Sequence, residues 1–114
     1  IVFQINEDGT GLVADLQNLG VMNWDDAMNA ASSATSQGYS DWYLPSKDAL
    51  VLMYNTIGQL GPEGDIGGFG FSWYWSSSNI NLDYAWSVLF YSGGGGESSN
   101  NKDNTYGVRV IRAF

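Results

Sequence analysis

The segment Gly38-Tyr39-Ser40-Asp41-Trp42-Tyr43-Leu44-Pro45-Ser46 decides how the chain is read, because it separates two helical patterns and opens the second. Pro45 biases Leu44 away from helical dihedrals, and Ser46 stands where a helix cap is needed. Behind it Leu50, Met53, Tyr54 and Ile57 recur at helical spacing until Gly58 closes the pattern. Ahead of it a first helix is predicted, with Asn23 as its cap and Asp25 and Asp26 in the turn where the dipole favours negative charge. Trp24, Ala27, Met28, Ala31 and Ala34 form its inner face, and Gly38 is read as its end.

Outward from the helices lie strands. Ile1-Val2-Phe3-Gln4-Ile5 and Leu12-Val13-Ala14 flank Asp8-Gly9, a strong local hairpin signal. Residues 58–72 hold Gly61, Pro62, Gly64, Gly67, Gly68 and Gly70 and read as a long irregular loop. Three further strands are predicted, at 73–77, 85–91 and 106–114. In the second of them Trp86, Val88 and Phe90 share one face, and Ser87, Leu89 and Tyr91 the other. The polar stretch 92–105, with its run Gly93 to Gly96, reads as an exposed flexible loop; no Lys-Ser or Lys-Thr follows the glycines to suggest phosphate binding. Strands, helix, helix, loop, strands is an α+β order within one domain spanning 1–114.

Composition narrows the function classes. A chain of 114 residues can bury roughly two thirds of its unfolded surface, enough for one core. Twelve acidic against four basic residues leave a net charge of -8, which repels phosphate and sets nucleic acid aside as a partner. With no Cys and no His, thiol nucleophiles, imidazole bases and the usual zinc ligands are absent. No apolar stretch approaches the roughly 20 residues of a membrane span, so no membrane insertion is expected. The carboxylates sit at a helix start or on Gly-rich loops that would not hold a nucleophile rigidly, so no enzyme activity is expected. The chain starts inside a strand, which suggests a domain cut from a longer surface protein.

The same quoted segment, together with Leu50, Tyr74-Trp75-Ser76-Ser77-Ser78, Ala85-Trp86 and Val108-Arg109-Val110-Ile111-Arg112, resembles the bacterial DUF1566 family, which includes the C-terminal domain of the Legionella collagen-like adhesin. The resemblance runs over nearly the whole chain. It implies a C-type-lectin-like fold: two helices flanking a small antiparallel sheet, paired N- and C-terminal strands and long irregular loops. It also implies an adhesion role in a secreted or surface protein. Two departures stand out. Where family members often carry an acidic residue that closes the second helix's capping box, this chain has Ala49. The Legionella domain is associated with sulfated glycosaminoglycans, which need a cationic surface that this acidic chain lacks, so that ligand is not carried over.

Candidate ligand residues follow from side-chain chemistry and from resemblance. In Ser78-Asn79-Ile80-Asn81-Leu82-Asp83-Tyr84 the amides donate and accept, and the carboxylate can take sugar hydroxyls or a cation. Similarity to the lectin-like variable proteins of diversity-generating retroelements implies that Asn79, Asn81, Asp83, Tyr84, Ser87 and Tyr91 face the ligand. Glu97, Asn100, Asn101 and Asp103 complete the candidate set; for Ca2+ the ligands would be Asp83, Glu97 and Asp103, with Glu63 and Asp65 as a second source. No EF-hand loop is present. Trp42, Trp75 and Trp86 are read as core, and Tyr84 and Tyr91 as rings placed to be presented. Asp41 is expected to pair with Arg109 or Arg112. The function expected is a glycan-binding adhesion module; the alternatives are a protein- or peptide-binding receptor domain and a structural cap of a homotrimer formed through the parent protein.

Overall fold

A computed structural model of the chain describes residues 1–92 and 95–114. Part of the glycine run read as a flexible loop, Gly93 and Gly94, lies outside the described residues. The architecture is α+β, with strands β1 (Val2–Ile5), β2 (Gly11–Ala14) and β3 (Val21–Met22) ahead of helix α1 (Trp24–Ser32). A single 3-10 turn (Ser36–Gly38) then leads to α2 (Lys47–Thr56). The remaining strands are β4 (Ser72–Asn79), β5 (Tyr84–Phe90), β6 (Gly96–Asn101), β7 (Tyr106–Gly107) and β8 (Ile111–Ala113).

The predicted hairpin forms around Asp8-Gly9. Gly9 takes φ 88°, the left-handed value an L side chain resists, and the Thr10 amide and hydroxyl both donate to the Asp8 carboxylate. β2 then pairs on its other side with β8, so the two ends of the chain meet in one sheet of order β1-β2-β8. Both helix caps are those the sequence predicts. Asn23 accepts from the Asp26 amide at 2.9 Å and Ser46 from the Ala49 amide at 3.1 Å.

Several expectations need correction. In place of one small antiparallel sheet there are two sheets, and the larger, of order β3-β7-β4-β5-β6, is mixed because β4 and β7 run parallel. The predicted last strand divides into β7 and β8, since its two ends serve different sheets. Between them Val108 and Val110 bond the backbone of residues 15–20 and are fully buried. Helix α1 stops at Ser32, six residues before Gly38, which ends the 3-10 turn instead; Met28 is left on the solvent side. Part of the 92–105 stretch is not loop: residues 96–101 form β6 in unbroken antiparallel register with β5.

The large sheet is packed on both faces. Against α2 lie Tyr74, Val88 and Phe90 with Leu50, Met53, Tyr54 and Phe69, their rings meeting edge to face at 5.1 to 5.6 Å around the closer Phe69–Phe90 pair. Against α1 lie Trp75, Ala85, Val108 and Val110 with Ala27, Ala31, Trp42 and Leu44; the alanines let that helix approach closely. Trp42 and Trp75 are core, as read, and the Trp75 indole N–H donates to the Met22 carbonyl at 2.9 Å. Of the two arginines offered to Asp41, Arg112 makes the pair at 2.8 Å and lies 3.7 Å over Tyr39. Arg109 is buried elsewhere, its guanidinium 4.4 Å over the Phe69 ring.

Candidate functional site

The architecture gathers most of the proposed ligand residues at one end of the large sheet. β4 and β5 are joined there by residues 80–83, and β6 leaves the sheet beside them toward β7. Asn81 builds the tip: its side-chain oxygen accepts from the Asp83 and Tyr84 amides, both at 2.9 Å, a local bond that makes Asn a natural turn residue. Asn101 does the same for the next turn, accepting from the Asp103 amide at 2.9 Å.

Lys102 ties the two turns together. Its amide donates to the Asp83 carbonyl at 2.8 Å, and its ammonium donates to the Asn81 carbonyl at 2.7 Å and sits 4.3 Å over the Trp24 ring. Its own carbonyl accepts from the Trp24 amide at 3.0 Å, and the Trp24 indole holds the Ser76 carbonyl at 2.9 Å. The first turn of α1 is thereby joined to both loops. Sequence reasoning missed Lys102. The available signal was that one of only four cations lies inside an amide- and acid-rich segment.

Around this clamp the surface is polar with a few apolar points. Tyr84 and Asn101 are directly opposite across β5 and β6, so ring and amide stand side by side on one face. Tyr84 is 42% exposed. Asn79, Asp83, Asn101 and Asp103 are exposed, and among the described residues neither the Asp83 nor the Asp103 carboxylate has a hydrogen-bond partner. Leu82, at 92% exposure, and Ile80 project from the tip between the polar groups.

The other candidate residues lie apart. Ser87 is fully buried, and its hydroxyl donates to the Asn100 side-chain oxygen, so that pair supports the sheet from the α1 side and Ser87 does not reach the surface. Tyr91 sits beyond the far end of β5, about 20 Å along the strand from Tyr84, its ring edge-on to the exposed Phe71 at 4.8 Å. Glu97 lies four residues up β6 from Asn101 and is spent on Lys47 at 3.2 Å, while the Lys47 ammonium covers the half-buried Trp86 at 4.5 Å. Asp83, Glu97 and Asp103 are therefore not brought to one point. Among the described residues no three acidic side chains form a group suited to a metal ion, Glu63 and Asp65 included. Asp65 instead caps its own loop, accepting from the Phe69 and Gly70 amides.

This end of the sheet can accept hydrogen bonds through free carboxylates, donate them through amides and offer a tyrosine face. Those are contacts of reversible recognition. The family description "Lcl C-terminal domain" matches residues 5–112, which is all but the ends of the chain. The chain belongs to the Lcl C-terminal domain family. The match is to the collagen-like adhesin domain that the sequence resemblance pointed to, and it makes this Lcl C-terminal domain adhesion-related. No curated protein matches the chain. Among the described residues no helix of this Lcl C-terminal domain is long and apolar enough to cross a membrane.

Proposed function

We propose that this domain is a non-catalytic adhesion module of C-type-lectin-like architecture, displayed at a cell surface or outside the cell, and that its ligand is an uncharged carbohydrate. The observation that carries the reading is the Tyr84–Asn101 pair beside the unengaged Asp83 carboxylate. A sugar needs a ring face to lie against and groups that accept from and donate to its hydroxyls, and these residues supply all three. The net charge of -8 argues against sulfated or phosphorylated glycans. The meeting of the N- and C-terminal strands through β2 and β8, with the irregular 57–71 segment above them, supports the lectin-like comparison.

Ca2+ enters this reading through Asp83 and Asp103 alone, with the sugar's own hydroxyls completing the shell of six to eight oxygens. A glycan array run with the domain in Ca2+ and again in a chelator tests both points. Binding to neutral glycans that falls at least tenfold in Tyr84→Ala and Asp83→Asn supports the assignment, and loss in chelator assigns the ion. Binding that ignores both substitutions, or no binding to any glycan, overturns it.

A protein or peptide ligand is the second reading, favoured by Leu82 and Ile80. An almost fully exposed leucine at a loop tip is an anchor a protein pocket can take and a sugar cannot. Retained binding to a surface protein in Tyr84→Ala, lost in Leu82→Ser, would select it over the first.

A further inference from the structure

β6 is the outer strand of the large sheet; among the described residues its edge has no bulge, proline or lysine, and its one charge, Glu97, is paired with Lys47. Its register with β5 runs over six successive pairs, Tyr84 with Asn101 through Leu89 with Gly96, with no bulge to twist the edge away. The strand Gly96-Glu97-Ser98-Ser99-Asn100-Asn101 contains neither proline nor lysine. Among the described residues no other strand lies beyond it.

The hydrogen-bond phase of the ladder shows which groups are unpaired. The Lys102 amide donates to the Asp83 carbonyl, so 83 and 102 form a bonded pair; Ala85 with Asn100, Ser87 with Ser98 and Leu89 with Gly96 follow at alternate positions. The amides and carbonyls of Glu97, Ser99 and Asn101 consequently point out of the sheet. The Asn101 carbonyl also receives the Asn104 amide at 3.0 Å, which leaves one of its two lone pairs.

We propose that this edge pairs with the same edge of a second copy, antiparallel about a two-fold axis through Ser99, to give one continuous sheet across the dimer. The residue sequence selects that occupant. Ser99 then meets its own symmetry mate, small against small, and Glu97 meets Asn101 of the other copy. Glu97 holds Lys47 through Oε2, and its second carboxylate oxygen can accept from the amide opposite, whereas two glutamates in register would repel. Each of the three outward residues exchanges amide and carbonyl bonds with its partner. The edge lies on the opposite side of β6 from β5, so the pairing leaves the ladder within each copy intact. It shares Asn101 with the carbohydrate proposal but does not rest on it.

Sedimentation equilibrium of the 114-residue chain from about 5 µM to 1 mM, with hydrogen exchange of the Glu97 and Ser99 amides at both ends of the range, tests the proposal. The expected result is a doubling of the 12.4 kDa mass with rising concentration, accompanied by at least tenfold slower exchange of those two amides. Ser99→Pro deletes one outward N–H and no bond to β5, and should return the mass to the monomer value while circular dichroism stays unchanged. If that variant fails to fold, the wild-type exchange data decide. A monomer at every concentration, a trimer, or a dimer whose Glu97 and Ser99 amides exchange as fast as in the dilute sample overturns the proposal. So does protection of the edge only by an added extended peptide.

Discussion

Arg109 and Asp15 lie against each other in the core, yet the guanidinium bonds the aspartate's backbone carbonyl, Nη2 to O at 2.8 Å, and not its carboxylate. The same Nη2 donates to the Gly67 carbonyl at 2.8 Å, while the Asp15 carboxylate takes the Ser36 hydroxyl at 3.1 Å. One planar fork thus joins the β2 exit, the 57–71 loop and the segment between β7 and β8. Burial pushes the Arg109 pKa down, but a guanidinium starts high enough to stay charged.

Removing that fork strands two buried carbonyls, each costing about 1–3 kcal/mol. Arg109→Met is expected to lower unfolding stability by about 3 kcal/mol, read from the urea midpoint. Arg109→Lys should recover less than half, because a single ammonium cannot span both carbonyls and also lie flat on Phe69. Equal midpoints for Arg109→Lys and the wild type would show that charge alone, without the fork, suffices.

The Arg112–Asp41 pair sets an acid limit. The hydrogen bond from Arg112 holds the Asp41 carboxyl below its ordinary range, and the Thr10 hydroxyl and amide do the same for Asp8. A carboxylate with a depressed folded pKa binds its proton more readily when unfolded, so its contribution is complete above about pH 4 and is lost as pH falls through the folded value. The stability difference between the wild type and Asp41→Asn should therefore be present at pH 6, shrink below pH 4 and diminish with salt, since the pair is exposed. A difference constant from pH 6 to pH 2 would remove the ion pair from the account.

Close approach constrains Gly58 and Gly107, whereas Gly96 stands open. A Cβ on Gly58 would stand 2.8 Å from the Tyr54 Cα, and one on Gly107 would stand 2.8 Å from the Tyr74 ring. Each alanine substitution is expected to cost about 1–3 kcal/mol by overpacking. Gly96 meets nothing within 4 Å, and Gly96→Ala should be neutral or gain up to about 1 kcal/mol from a stiffer unfolded chain. Thermal denaturation of the three variants side by side separates packing from backbone entropy.

What the sequence disclosed was local. The caps at Asn23 and Ser46, the Asp8-Gly9 turn and the Leu50-Met53-Tyr54-Ile57 stripe are each decided by a few neighbouring residues, and each appears where it was read. The strand from Tyr106 was read too long because Val108 and Val110 look the same in sequence whether a chain continues one sheet or crosses to another. β6 was invisible for a related reason. Glycine, serine and asparagine carry little strand propensity, and the strand exists because β5 offers a ladder to pair with. The candidate site divided along the same line: residues 79–84 cohere because one turn holds them, but Tyr91 was joined to them by resemblance and Glu97 by its oxygen chemistry, and no local bond holds either one there.

Lys102 offers the sharpest test of how the candidate site is held. Its backbone bonds, from the amide to Asp83 and from Trp24 to its carbonyl, survive any side-chain change. Only the ammonium's bond to the Asn81 carbonyl and its contact with the Trp24 ring depend on the charge. Lys102→Met keeps the apolar stem over the ring and should lower global stability by less than about 1 kcal/mol, the usual worth of such exposed contacts. The tip should respond far more than the whole. With the Asn81 carbonyl released, the turn that its side chain imposes on Asp83 and Tyr84 keeps only the backbone bond from the Lys102 amide as its tie to the β6–β7 connection. Amide exchange at Tyr84 is expected to accelerate about tenfold while exchange in β4 and β5 near Trp75 and Val88 stays unchanged. If the clamp is instead redundant with the backbone bonds, Tyr84 will exchange at the wild-type rate, and the site's order must come from the ladder alone.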